Sequence, residues 1–459
     1  MRCVWKRSRI YAVAVSILLI ACISQAFVTQ VSAKSVSERH DFVFSFTLPI
    51  YGNANEDDTI DMRDVTYIKL VIFGKKPETE FSDANYDGRI SMLDVVQTKL
   101  IIVGKEGELT FKDSADRVVT VDMPVKRIIA LSGNSASAMR TLKLKDKVVG
   151  VSHWVTTQPT YYPEMSKLPG LTSKSYEDII GLEPDVLICY PGYVEQLAEK
   201  LPEDIAVVGM DFHRPDTMCK EIRLSGYIFN RREEAEEFIN WYDGILREIK
   251  DKCDAIPDDE RPKVIYLSYS EWKQTYWTVN ITTPTGVILD LLGVKNPARD
   301  MFGGLYAPTW PGYVQIDPEW VLDQDPDVIV RPVSSYYGVD CGIDMDEPWS
   351  IKQAWENFLS EEAFSGVKAI KNRRLYLIND GECMSDVYPV TTAFLAKWFY
   401  PEYFKDLEPE ELFQEYFTRF QGLDYDLDEH GVFAYPPILE HEGDIAGIPD
   451  KYIGEVDIA

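Results

Sequence analysis

The chain has 459 residues, with 47 basic and 75 acidic side chains and a net charge of −28. Such an acid surplus argues against a nucleic-acid partner, because phosphate binding needs a basic footprint; it suits solubility outside the cell and cation capture, and equally a salty medium. Of seven cysteines, Cys3 and Cys22 precede residue 34, and Cys189, Cys219, Cys253, Cys341 and Cys383 remain: an odd number at no metal-ligand spacing, which excludes a disulfide scaffold and predicts buried free thiols with room for one bridge. Arg2, Lys6, Arg7 and Arg9 precede an apolar run over residues 10 to about 28, so residues 1–33 read as a signal peptide or membrane anchor. Three readings stay open: cleavage after Val31-Ser32-Ala33, a lipobox-like Leu19-Ile20-Ala21-Cys22 with lipid on Cys22, or an uncleaved span. All three predict an exported, extracytoplasmic protein, membrane-anchored or associated with the cell surface.

Next in the chain is a twelve-residue pattern of oxygen-bearing side chains that occurs twice, the copies beginning at Asn53 and Asp83. Positions one, three, five, nine and twelve are Asn53, Asn55, Asp57, Asp61 and Asp64 in the first copy. In the second they are Asp83, Asn85, Asp87, Ser91 and Asp94. Thr59 and Arg89 fall at position seven, where an EF-hand loop offers a backbone carbonyl. A hard cation such as Ca²⁺ takes about six to eight oxygens, and each loop can supply most of them. Gly88 holds the sharp-turn position of the second loop and Asp58 that of the first, which predicts a strained or weaker first site. Ile60 and Ile90 take the intervening apolar position. Each loop leads into a short amphipathic helix that stops at a glycine, Gly74 or Gly104. The plain alternative is a pair of solvated acidic turns.

Residues 52–105 resemble a dockerin module, whose duplicated loop-helix segments close on Asp rather than Glu. The resemblance implies Ca²⁺-dependent folding and docking to a cohesin-bearing scaffold. In that family the two residues before the closing acid help to select the partner; here they are Met62-Arg63 and Met92-Leu93, not a Ser-Thr pair.

From residue 107 onward, short β-runs alternate with helices. Runs at 127–131, 147–151, 184–190 and 205–209 predict the strands of a first lobe over 107–216, with a helix over 176–182. A charge-rich stretch over 217–254 carries Phe238, Trp241, Ile245 and Ile249 at helical spacing, which predicts one long linking helix. Runs at 262–267, 326–330 and 374–378 predict a second lobe over 261–425, followed by a C-terminal extension over 426–459. The expected fold class is α/β: two Rossmann-like lobes with parallel sheets joined by a long helix, preceded by the small all-α duplicated module.

The order and spacing of several segments resemble the substrate-binding proteins of metal-chelate ABC importers, the iron-siderophore and cobalamin class. They are 124–131, 146–151, 176–188, 286–296, 316–318, 326–329 and 400–404. The resemblance implies an ABC permease as partner and a ferric siderophore, corrinoid or haem as cargo. The acid that docks such proteins onto the permease is replaced by Ser137 in the first lobe and has only Asp290 nearby in the second.

Ligands of open α/β sheets bind beyond the carboxyl ends of the strands. Those ends deliver residues 132–135, 153–154, 190–193 and 211–213 from the first lobe, and 269–272, 331 and 380–383 from the second. Loops add Tyr161, Tyr162, Tyr306, Trp310, Tyr336 and Tyr337. Rigid aromatic faces bury large flat ligands at low entropic cost. The expected ligand contacts are Ser135, Trp154, Tyr190, Trp272, Trp310 and Tyr336, with Arg331 clamping an anionic group. His153 and His213 read as polar cleft contacts rather than metal ligands. No nucleophile elbow, P-loop or HExxH pattern occurs, so the expectation is no enzyme. A scaffold-tethered carbohydrate-active enzyme or a two-lobed chelatase are the alternatives.

Overall fold

Both acidic loops end in a carboxylate that starts a helix. Asp61 caps α1 (Met62–Ile72) and Asp64 completes its capping box; Ser91 and Asp94 do the same for α2 (Met92–Val103). Past α1 the chain turns left-handed at Gly74 (φ 65°), and Gly104, also at φ 65°, caps α2. Ala54, Val65, Ile68 and Val95 form a small core between the two helices. The computed structural model describes residues 45–270, 274–301, 312–436, 439–441 and 444–445. The export segment therefore lies outside the described residues, and among those described no helix is long and apolar enough to cross a membrane.

An antiparallel hairpin follows, β1 (Glu108–Lys112) with β2 (Val118–Asp122), and Ile50 bridges to Phe111 at its edge. The first lobe then runs β3 (Ile128–Ala130), α3 (Gly133–Thr141), β4 (Val148–Ser152), the single turn α4 (His153–Thr156), β5 (Gly170–Leu171), α5 (Tyr176–Gly181), β6 (Val186–Cys189), α6 (Val194–Lys200) and β7 (Ala206–Gly209). Its five strands are all parallel, in the order β5-β4-β3-β6-β7. Both faces of the central strands are buried: Ile128, Ala130, Val186 and Ile188 face one core, and Ile129, Leu187 and Cys189 the other. That two-sided burial explains the unbroken apolar runs seen in the sequence.

The single long helix expected over 217–254 is two helices. α7 (Met218–Ile228) ends at Phe229, Asn230 turns left-handed (φ 53°), and α8 (Arg232–Asp254) restarts the coil. Gly226 permits the tight reversal, since a Cβ there would stand 2.7 Å from the Cβ of Ala235. α8 alone links the lobes. It buries Phe238, Trp241, Tyr242, Leu246, Ile249 and Cys253, whereas Ile245 is only half-buried.

The second lobe contains β8 (Val264–Tyr266), β9 (Ser268–Ser270), β10 (Thr275–Val279), α9 (Pro284–Leu291), β11 (Tyr313–Ile316), α10 (Pro318–Gln324), β12 (Val328–Val333), α11 (Trp349–Leu359), α12 (Lys368–Lys371), β13 (Leu375–Asn379), α13 (Tyr388–Phe399), α14 (Pro409–Glu415) and β14 (Ala434–Tyr435). The sheet order is β14-β13-β12-β8, with β8, β12 and β13 parallel and β14 antiparallel. β14 lies beyond residue 425, so this lobe extends into the stretch expected as a C-terminal extension. A separate antiparallel sheet, β11-β10-β9, was not foreseen. The five cysteines after residue 34 are free.

Buried polar contacts fasten the lobes together. Asp386 accepts from the hydroxyls of Ser137 and Tyr416, both at 2.5 Å. Ser137, placed by the sequence on a permease-facing surface, is therefore inside this joint. Asp290 is paired with Arg299 at 2.6 Å.

Candidate functional site

The carboxyl ends of the first-lobe strands gather aromatic side chains around the start of α3. Ser132 caps that helix and Ser135 returns the bond, closing a capping box. Ser135 is fully buried, with its hydroxyl engaged by Ser132, so it supports the helix start. The pattern Ser132-x-x-Ser135 is itself the signal for that role. Gly133 leaves room beside it: a Cβ there would meet Tyr162 Oη at 3.6 Å and Trp154 Cδ1 at 3.8 Å. Tyr162 donates to the Gly133 carbonyl at 3.0 Å. Trp154 follows β4 and is 64% exposed, unusual for so large an apolar surface. Tyr190 follows β6; burial and the Asp211 charge push its phenol up to about 12, against a bond from Ser132.

Asp211 and His213 follow β7. Burial raises the Asp211 carboxyl, opposed by His213 and Arg214, and burial lowers His213, opposed by Asp211. His213 Nδ1 lies 2.9 Å from Ser385 Oγ, a contact between the lobes. In the second lobe Asp380 follows β13; burial pushes it up to about 6, against bonds from Ser334 and Tyr337. Tyr313 is raised to about 12 by burial and then by Asp380. Tyr388 feels both Tyr313 and Asp211. The described strand-end set thus comprises Trp154, Tyr162, Tyr190, Asp211, Tyr388, Tyr313 and Asp380, of which Tyr162 and Tyr388 are buried. It is rich in tyrosine and carries two carboxylates. Asp211 and Asp380 were legible only as strand-end positions, and Tyr313 gave no signal beyond being aromatic.

Arg331 is in the middle of β12, on the face of Ile329 and Val333. Its guanidinium stacks 4.6 Å from the Phe358 ring of α11. There it lines a cavity of about 490 Å³ with Tyr269, Tyr276, Trp349, Glu361 and Tyr337, the last of which also bonds to Asp380. The period of two along the strand turns it toward α11. Trp272 and Trp310 fall outside the described residues. Tyr336 belongs to the turn Ser335–Tyr337, but its side chain is outside the description. His153 begins α4 and is exposed.

The acidic loops form a second constellation. In the second loop Asp83 accepts from the amides of Asp87 (3.2 Å) and Gly88 (2.8 Å), Asn85 from Asp87 (3.3 Å), and Asp87 from Arg89 (2.9 Å). Asp94 accepts from Asn85 and Ser91. Gly88 supplies the left-handed turn at φ 85°. In the first loop Asn55 and Asp57 make the matching bonds, and Asp64 accepts from Asn55 and Asp61. Asp58 does not enter the left-handed region, so the expected strain at that position is absent. Asn53 Oδ1 is buried without a hydrogen-bond partner, while its Nδ2 donates to Leu48 and Asp57 carbonyls. Arg63 pairs with Asp57 (3.0 Å) and Asp61 (2.9 Å). Among the described residues no group of three or more His, Cys, Asp and Glu side chains is gathered for a metal. The loop oxygens come also from Asn, Ser and the backbone.

A family model described as "Periplasmic binding protein" matches residues 128–381, more than half of the chain. The molybdate-binding protein MolA of Haemophilus influenzae is 21% identical over 350 residues, covering 69% of this chain and 92% of MolA. A cobalamin-binding protein of Halobacterium salinarum is 25% identical over 233 residues, covering 49% of this chain and 58% of its own length. Among solved structures, the TroA-like periplasmic binding protein FepB of Veillonella parvula superposes with a TM-score of 0.59 at 20% identity, covering 71% of this chain and 98% of FepB.

Proposed function

The chain belongs to the periplasmic binding protein family, and from that we propose that it captures a metal chelate between its lobes and delivers it to an ABC permease. The observation that carries this is that strand-end set: an exposed Trp154 close to Tyr162 beside Gly133, with Tyr190 and Asp211 in the first lobe and Tyr313 and Asp380 in the second. Aromatic faces suit a broad, rigid cargo such as a ferric siderophore, corrinoid or haem. Half-buried carboxylates at Asp211 and Asp380 work against a small bare oxyanion, the class that MolA is named for. A family model that spans both lobes favours a binding protein over the carbohydrate-active enzyme and chelatase readings. Titration with corrinoids, haem and ferric siderophores, followed by tryptophan fluorescence, tests the proposal. Quenching by one of them that is lost in Trp154→Ala supports it. Response to molybdate alone would replace the cargo class.

For residues 52–105 the reading is a dockerin-like module that holds Ca²⁺ and docks to a cohesin-bearing scaffold. The fit to a hard cation rests on two features. Asn53 Oδ1, at loop position one, is a buried acceptor with no donor. The Asp83–Gly88 bond gives the second loop the tight turn that directs its oxygens inward. Asn53, Asn55, Asp57, Asp61 and Asp64 would hold one ion, with the Thr59 carbonyl. Asp83, Asn85, Asp87, Ser91 and Asp94 would hold the other, with the Arg89 carbonyl. Residues 1–33 would export the protein and leave it at the cell surface. Calorimetric titration of the full chain with Ca²⁺ tests the cation reading, and two equivalents are expected. Pull-down with the Ca²⁺-loaded chain tests for a cohesin.

A further inference from the structure

The two loops match in sequence but differ in the core that their apolar position packs against. Ile60, at position eight of the first loop, is buried in the main core of the chain, the cluster that holds Ile50, Phe111, Tyr227 and Phe238. Ile90, at position eight of the second, packs against the module's own small core. The Ile60 amide donates to Tyr227 Oη of α7 at 3.1 Å. Asp58, at the position usually held by glycine, pairs with Arg223 of α7 at 2.7 Å. Arg223 is held in turn by Glu236 of α8, at 2.5 and 2.8 Å. Arg232, at the start of α8, donates to the Ile101 and Ile102 carbonyls near the end of α2 and stacks 4.3 Å from the Tyr227 ring. Asn53 reaches back to Leu48, a fully buried residue of the same main core.

We propose that the first loop is a structural cation site of the binding body, whose ion stabilises the first lobe and the α7–α8 pair, while the second loop's ion orders only its own loop. This rests on the reading that the loops hold Ca²⁺. The physical path is short. An ion bound by Asn53, Asp57, Asp61 and Asp64 fixes the backbone on both sides of Asp58 and Ile60. Those residues carry the loop's ion pair, amide bond and apolar anchor to α7. Anything that binds the folded loop and not the unfolded one stabilises whatever unfolds with it. Among the described residues the second loop's Asp83, Asn85, Asp87 and Asp94 bond within the loop, and its contact beyond is the Tyr86 ring edge-on to Tyr51 at 4.6 Å, with no ion pair or amide bond to α7.

Residues 52–105 contain no tryptophan, and nine of the ten tryptophans lie at residue 154 and beyond, so tryptophan fluorescence follows the body and not the module. The test is thermal unfolding of the full chain by this signal, with Ca²⁺ and with chelator, in the native sequence and in two matched variants. Ca²⁺ is expected to raise the body's midpoint by several degrees. Asp57→Asn removes most of that rise, and Asp87→Asn keeps it. Should Asp57→Asn fail to fold, Arg223→Gln serves instead: it is expected to take up Ca²⁺ but to show a smaller rise. Equal loss in Asp57→Asn and Asp87→Asn overturns the division of labour. Ca²⁺ uptake by calorimetry with an unmoved body midpoint overturns the coupling and leaves the cation reading standing. No Ca²⁺ uptake at all removes both.

Discussion

The first and second acidic loops share spacing, capping box and following helix, and differ in what lies behind them. Asp58 meets Arg223 of the body, whereas Gly88 meets nothing: a Cβ at Gly88 would find open space. The sequence difference at that one position therefore has two separate physical meanings. In the second loop glycine serves a left-handed backbone. In the first, the backbone does not need it, and the side chain is free to make an interdomain ion pair. Asp58 in place of glycine thus leaves the first loop unstrained at that position and ties it to α7.

The largest effect expected from breaking this difference is at Arg223. Its side chain is mostly buried and binds both Asp58 and Glu236. Arg223→Ala strands two carboxylates and is expected to cost about 2 kcal/mol of body stability, read by tryptophan-monitored denaturation. Arg89→Ala, at position seven of the second loop, is expected to leave that stability unchanged. Next in size is the turn itself. Gly88→Ala at φ 85° is expected to cost about 1 to 2 kcal/mol, confined to the second loop and read by amide exchange over residues 83–94. Asp58→Ala carries no such backbone cost and loses only a half-exposed ion pair, about 1 kcal/mol or less. If Gly88→Ala lowered body stability as much as Arg223→Ala, the two loops would not be separate in the way proposed.

These contrasts also show what the sequence could and could not convey. The loops, the helices after them and their glycine stops were legible because each depends on local chemistry at fixed spacing. The parallel strands were legible because burial on both faces leaves unbroken apolar runs such as Val186–Cys189. The break at Asn230 was not, because Phe238, Trp241 and Ile249 keep helical period on one side and the turn depends on Gly226 meeting Ala235. Of the expected cleft contacts, Trp154 and Tyr190 follow β4 and β6, where the strand-end rule places them. Ser135 closes a capping box, a role that a serine pattern shares with binding, and strand parity turns Arg331 toward Phe358. Asp58–Arg223 was beyond reach, since residues 165 apart meet only in the folded chain.

The smallest effect on stability, and the sharpest on partnership, is expected at the two residues before each closing acid. Met92 and Leu93 open α2 and are largely exposed, as is Val96 one turn on, so this face is apolar and unencumbered. Met62 opens α1 in the same way, but its neighbour Arg63 is held by Asp57 and Asp61. Interface centres are depleted in charge and favour side chains that pack, so the α2 face is the better candidate for docking. Leu93→Asp is 60% exposed in its native form and touches no core, hence a stability change within about 0.5 kcal/mol is expected. Capture of a cohesin-bearing partner by the Ca²⁺-loaded chain is expected to fall at least tenfold, while Arg63→Asp leaves it within a few-fold. The reverse ranking would assign docking to α1, on the loop that is anchored to the body, and would mean that partner binding and body stability share one cation.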